Sequence, residues 1–133
     1  MRFDPTDYPH SELTERIIGA AMAVHRELGP GLDEKIYENS LCIEFAEQRI
    51  HFTQQEVFPV HYRGRYVGKL ITDLIADSKV IVETKVVEHI LDVHIAQVLS
   101  CLSITGLQIG IILNFKPTSL AIKRVANTYL KNQ

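Results

Sequence analysis

Three charged side chains interrupt stretches that otherwise read as core. The run Val80-Ile81-Val82-Glu83-Thr84-Lys85 is apolar and β-branched, then carries a carboxylate and an ammonium. A strand this hydrophobic is expected to be buried on both faces. Glu83 and Lys85 are two apart, so on a strand they share a side. Upstream, Leu70-Ile71-Thr72-Asp73-Leu74-Ile75 repeats the anomaly with one acid. Unpaired charge is costly to bury. Two carboxylates and a lysine on neighbouring core strands are the parts of a metal site for phosphodiester cleavage. The plainer alternative is a buried ion pair, Asp73 or Glu83 with Lys85, that holds strand register.

Whether the acids meet depends on one turn. If Asp77-Ser78-Lys79 is a three-residue loop, Ala76 faces Val80 and Asp73 falls opposite Glu83 on the same face. A two-residue turn would pair Asp73 with Val82 and separate the acids. Carboxylates about 5 Å apart repel by roughly 3 kcal/mol at an effective dielectric near 20. A divalent cation relieves this, and oxygen ligands without Cys or His favour Mg²⁺ or Mn²⁺ over Zn²⁺. Lys85 is then placed to orient the nucleophile or neutralise charge on the phosphorane.

The elements that must position these groups can be read in order. Pro5 and Pro9 make residues 1–10 an extended arm. Ser11 is the expected N-cap of a helix whose apolar positions are Leu13, Ile17, Ala20, Ala21, Val24 and Leu28. Gly29-Pro30-Gly31 ends it. Asp33 caps a second helix, with Ile36, Tyr37, Leu41, Phe45 and Ala46 as its stripe, running to about Arg49. Glu56 to Tyr62 reads as a strand, and Pro59 argues for an edge. Arg63-Gly64-Arg65 is a turn. Tyr66 to Ala76 and Val80 to Val87 are further strands. Asp92 caps a helix that stops at Gly106. Ile109 to Phe115 is apolar throughout, as parallel strands usually are. Leu120 to Ala126 is read as a short strand, with helix as the alternative. The sum is a mixed sheet with helices packed on it.

Composition sets the limits. The 133 residues suit one unit with a real core, and 46% hydrophobic with 23% charged content is ordinary for a soluble globular protein. No apolar run approaches a bilayer span, and the polar N-terminus has no signal-peptide core, so a cytoplasmic location is expected. Cys42 and Cys101 read as reduced thiols. A net charge of −2 argues against a broad footprint for nucleic acid. Arg63, Arg65 and Lys69 form one basic cluster, for which a solvated loop is the plainer reading.

Gly31-Leu32-Asp33-Glu34-Lys35-Ile36-Tyr37 reads G-x-x-E-x-x-Y and precedes a second acid, Glu38. With the Gly-Pro-Gly break, the Asp and Glu-x-Lys strands, the Gln97 helix, Thr105-Gly106-Leu107 and Asn114-Phe115, it resembles the GxxExxY protein family, placed within the PD-(D/E)XK nuclease superfamily. The resemblance runs from about Leu13 to Val125. It implies an α/β, restriction-endonuclease-like αβββαβ core with a mixed central sheet flanked by helices, over residues 11–133. It implies Mg²⁺-dependent (or Mn²⁺-dependent) phosphodiester hydrolysis, with catalytic positions Asp73, Glu83, Lys85, Glu34 and Gln97. Metal would be held by Asp73, Glu83 and Glu34. Taken by itself, Glu34 reads first as a first-turn acid favoured by the helix dipole. Gln97 is equally a surface residue, and His94 reads as a helix-end histidine. Three positions depart from the pattern: Cys101 stands where relatives often have Tyr, Ile71 where they have Arg, and Thr84 where Leu is usual.

Two functions follow. One is a metal-dependent nuclease acting on DNA, with a homodimer plausible because cutting both strands needs two sites. The other is a catalytically silent binding or assembly module on the same fold. The acidic charge and the missing arginine favour the module. The intact Asp73, Glu83, Lys85 and Glu34 favour the enzyme.

Overall fold

The computed structural model describes residues 9–127, so most of the expected N-terminal arm and residues 128–133 lie outside it. Its elements are α1 (Ser11–Leu28), α2 (Glu34–Glu47), β1 (Phe52–Tyr62), β2 (Arg65–Ala76), β3 (Val80–Lys85), α3 (Asp92–Thr105), β4 (Ile109–Asn114) and β5 (Ala121–Ala126). The strands form one sheet in sequential order, β1-β2-β3-β4-β5. All neighbours are antiparallel except β3 and β4, which are parallel and joined through α3. This is the mixed sheet with packed helices expected from the order of elements, and it agrees with the restriction-endonuclease-like α/β core that the resemblance implies. The ambiguous tail is a strand, and β1 with Pro59 lies at the edge.

The continuous hydrophobicity of β3 and β4 has a direct cause: both faces are covered. Val80, Val82, Ile109, Ile111 and Leu113 pack with Ile17, Ala20, Ala21 and Val24 of α1 and with Tyr37, Leu41 and Phe45 of α2. Ile75, Ile81 and Ile112 pack on the other side with Val98, Cys101 and Leu102 of α3. Each fully buried large side chain contributes about 1.5–3 kcal/mol by leaving water. Gly110 allows α3 to sit this close, since a Cβ there would lie 2.5 Å from Val98 Cγ1.

Several local expectations are corrected. Ser11 is the first helical residue rather than the cap; His10, at φ 60°, holds that position. Asp33 does stand at the N-cap of α2, but its side chain makes no capping bond. At α3 the cap is Leu91, not Asp92, and His94 Nδ1 accepts the Leu91 N–H at 2.9 Å. Ile36 is 42% exposed and Leu28 38%, because each lies at the margin of its stripe. Strand β1 begins at Phe52, four residues before the apolar alternation becomes legible. Strand β3 ends at Lys85, where the chain leaves the sheet.

The β1–β2 hairpin carries one irregularity that matters. Its ladder runs from Gln54↔Leu74 to Glu56↔Thr72 and skips the rung between Gln55 and Asp73. Gln55 has φ 57°. Leu74 belongs to the α1–α2 cluster, yet Leu70, of the same strand parity, packs with the α3 cluster beside Phe58. The hairpin therefore changes face at the Asp73 level, as strand irregularities beside functional sites often do.

Candidate functional site

The β2–β3 turn has the three-residue form, with Ala76↔Val80, Ile75↔Ile81 and Leu74↔Val82 in register. Continued one step, this sets Asp73 opposite Glu83. Ile75 and Ile81 face α3, so by alternation Asp73, Glu83 and Lys85 face α3 as well. All three are half-buried. Thr84 anchors the first acid: its backbone N–H and its hydroxyl both donate to Asp73 Oδ2, at 3.2 and 3.3 Å. Two donors on one oxygen fix the carboxylate's orientation. The departure from leucine at position 84 thus supplies a support that sequence reasoning missed. A hydroxyl-bearing residue within an apolar strand was the available signal.

Burial and the facing Asp73 carboxylate push Glu83 up to about 8, against the pull of Lys85. A hydrogen bond between the two acid side chains contributes in the same direction. Without a cation between them, the two facing acids therefore favour a state in which the pair keeps a proton well above the usual carboxylate range. Lys85 Nζ donates to Gln97 Oε1 at 3.4 Å. Among the described residues Lys85 forms no ion pair within 4.0 Å of either acid, so the register-holding ion pair is not what the strands contain. Cys101, one turn beyond Gln97, has its thiol pushed up to about 11 by burial and by the nearby Glu83 and Asp73 charges. It stays protonated and inert at the edge of the site.

Glu34 approaches from the other side of the sheet end, in the exposed first turn of α2. Burial and the Asp73 charge raise its pKa, with Lys85 opposing. Its position is set by a clasp built from the rest of the G-x-x-E-x-x-Y stretch. The fully buried Tyr37 stacks on Phe115 with centroids 4.5 Å apart and planes at 9°. Its hydroxyl donates to the Gly29 carbonyl and accepts the Leu32 N–H. Gly31, at φ 104°, gives the loop a turn that a side chain would resist. Glu38 is buried on the same helix, and Lys35, Gln54 and Gln55 all donate to its Oε2. Gln55 is thereby held at the kink beside Asp73. At the far edge, buried Asn114 accepts the Val87 N–H and donates to its carbonyl, at 3.0 and 2.8 Å, pinning the chain after Lys85.

The structure thus brings together Asp73 and Glu83, with Lys85 and Gln97 beside them and Glu34 at their rim. Among the described residues no three His, Cys, Asp or Glu side chains form a ready ligand group. The donor chemistry nevertheless suits a hard cation. Mg²⁺ is typically held by one or two carboxylates, with water and substrate phosphate completing the shell. The raised Glu83 is the mark of two acids facing each other without such a charge. Two cavities, of about 450 and 290 Å³, are lined by His10 and Lys79 and lie by the β2–β3 turn, at the opposite end of β3 from Lys85.

An acid pair and a lysine thus lie together on a mixed sheet, with a glutamine from the crossover helix beside them. The family model of the PD-(D/E)XK nuclease superfamily matches residues 11–125, and the chain belongs to that superfamily. Among solved structures, the crystal structure of SSO0001 superposes with a TM-score of 0.57 at 18% identity, covering 88% of this chain and 58% of that one. The likeness is one of fold, and the chain spans little more than half the length of that relative. No curated protein matches. No helix among the described residues is long and apolar enough to cross a membrane.

Proposed function

We propose that the protein is a divalent-metal-dependent nuclease of the GxxExxY kind that hydrolyses phosphodiester bonds in DNA. The observation that carries this reading is the facing pair Asp73 and Glu83 with Lys85 left unpaired beside them. A register-holding ion pair would have closed Lys85 onto an acid; instead its ammonium is steadied by Gln97 and remains available.

The residues divide the work. Asp73, oriented by Thr84, and Glu83 would hold Mg²⁺ or Mn²⁺, with Glu34 reaching the same cation directly or through water. Bound there, the cation supplies Lewis acidity toward a phosphate and lowers the pKa of the attacking water. Lys85 donates hydrogen bonds toward a phosphate oxygen and offsets the charge that grows on it. Gln97 fixes the direction of Lys85. Glu83 would have to be ionised to hold the cation, so occupancy and ionisation would be linked.

The test is metal-dependent cleavage of single-stranded, double-stranded and branched DNA. Wild type should cut with Mg²⁺ or Mn²⁺, and Lys85→Ala should lose the activity while folding normally. No metal uptake at millimolar concentration, together with unchanged stability in Asp73→Asn, would sink the reading.

A further inference from the structure

Strands β1 and β2 outrun the rest of the sheet. β2 pairs with β3 only over Leu74–Ala76, while its ladder with β1 continues to Tyr62↔Arg65. Because β2 runs antiparallel to β3, residues 57–71 project past the end of β3 that carries Glu83 and Lys85. This two-stranded arm is exposed at Val57, Tyr62, Tyr66, Val67 and Ile71. It holds Arg63, Arg65 and Lys69 and no acid, in a chain whose net charge is −2. Among the described residues none of these three cations forms an ion pair. Arg63 lies over the Tyr62 ring, 5.4 Å from its centroid.

We propose that this arm holds the nucleic-acid backbone, with Arg63, Arg65 and Lys69 on phosphates and Tyr62 against sugar or base faces. The proposal rests on the nuclease reading of the Asp73–Glu83 centre. At about 3.3 Å per residue, Lys69 stands ~13 Å and Arg65 ~26 Å along the strand from Asp73. Phosphates along one strand of a duplex advance about 3.4 Å each along the axis. The arm thus spans less than one helical turn, about 34 Å, counted from the scissile bond. Aromatic rings beside cations are the usual furniture of such a grip. The arm thus sets three cations beyond the end of β3 that carries Glu83 and Lys85.

The test is fluorescence anisotropy with a labelled 20-base-pair duplex and the matching single strand, in EDTA, from 50 to 200 mM salt. The variants are Arg63→Gln/Arg65→Gln/Lys69→Gln together, and Lys69→Glu alone as a milder change should the triple variant fail to fold. The triple variant should bind at least about tenfold more weakly at 50 mM salt, with a log–log salt slope shallower by about 2–3, near 0.9 per lost phosphate contact on duplex. Lys69→Glu should weaken binding in the same direction. Mn²⁺-induced stabilisation should be unchanged in both, because Asp73 and Glu83 are intact. Equal affinity and slope for variants and wild type overturn the proposal. So does a wild-type dimer, seen by sedimentation, that the triple variant dissolves without loss of oligonucleotide affinity; the arm would then be a subunit interface. Wild type that binds through the arm but cleaves nothing with Mg²⁺ or Mn²⁺ leaves the arm standing and removes the nuclease reading.

Discussion

Replacing Glu83 by Gln should make the metal-free protein more stable at alkaline pH, although it removes a residue assigned to the active centre. The carboxyl is raised from 4.5 to about 8, first by burial and then by Asp73. Below pH 4.5 the folded and unfolded chains both carry the proton, and its contribution is fully present. As pH rises from 4.5 to 8 the unfolded chain ionises while the folded chain holds on, so stability falls across that window. Above 8 both are ionised and the loss is complete. At about 1.36 kcal/mol per unit the ceiling is ~5 kcal/mol, and solvent reaching the half-buried carboxyl brings the expected loss to roughly 2–3 kcal/mol. Glutamine keeps the shape and the hydrogen-bond donor but cannot ionise. Urea unfolding followed by circular dichroism in EDTA, at half-unit steps from pH 5 to 9, reads the wild-type minus variant difference. That difference should be near zero at pH 5 and should grow until the variant leads by about 2–3 kcal/mol at pH 8.5. Added Mn²⁺ should stabilise wild type most at high pH and leave Glu83→Gln nearly unchanged. A difference that does not vary with pH, or a variant less stable than wild type at pH 8.5, refutes the facing-acid argument.

Other perturbations probe the supports. Mn²⁺ affinity, by calorimetry, should rise about tenfold per pH unit between 6 and 8, since entry of the cation displaces the Glu83 proton. Tyr37→Phe retains the stack on Phe115 but strands the Leu32 N–H and the Gly29 carbonyl; a loss of about 1–3 kcal/mol by urea unfolding is expected, with Mn²⁺ affinity also reduced if Glu34 moves. Gly110→Ala should cost about 1–3 kcal/mol by forcing a methyl into stiff, β-branched Val98, and Val98→Ala in the same chain should restore part of it.

What could be read in the sequence follows from what is local. Counting left the turn at Asp77-Ser78-Lys79 open between two and three residues and tied the meeting of Asp73 and Glu83 to the three-residue form, which the strands adopt. The parallel position of β4 followed from its unbroken apolar run, which only a strand covered on both faces tolerates. Helix starts were less legible because the capping group at α3 is His94 acting on Leu91, a bond between a side chain and a backbone three residues away. The kink at Gln55 was not legible at all. It depends on Glu38, from another element, collecting Gln54 and Gln55. Likewise the anchoring of Asp73 by Thr84 is a cross-strand bond that neither residue announces alone.

The G-x-x-E-x-x-Y stretch takes a different meaning once its side chains are placed. Only Glu34 faces the charged centre. Gly31 and Tyr37 act on the loop between α1 and α2, one by adopting φ 104° and the other by closing its hydroxyl on Gly29 and Leu32. Tyr37 is one turn beyond Glu34, so the ring that packs into the core and the carboxylate raised by the Asp73 charge belong to the same helix start. Phe115, on which that ring stacks, immediately follows Asn114, which pins the chain leaving Lys85. The end of β4 therefore braces both sides of the centre: the lysine through Asn114 and Val87, the rim acid through Phe115 and Tyr37. Such a brace holds neighbouring charges close against their mutual repulsion without ion pairs that would neutralise them.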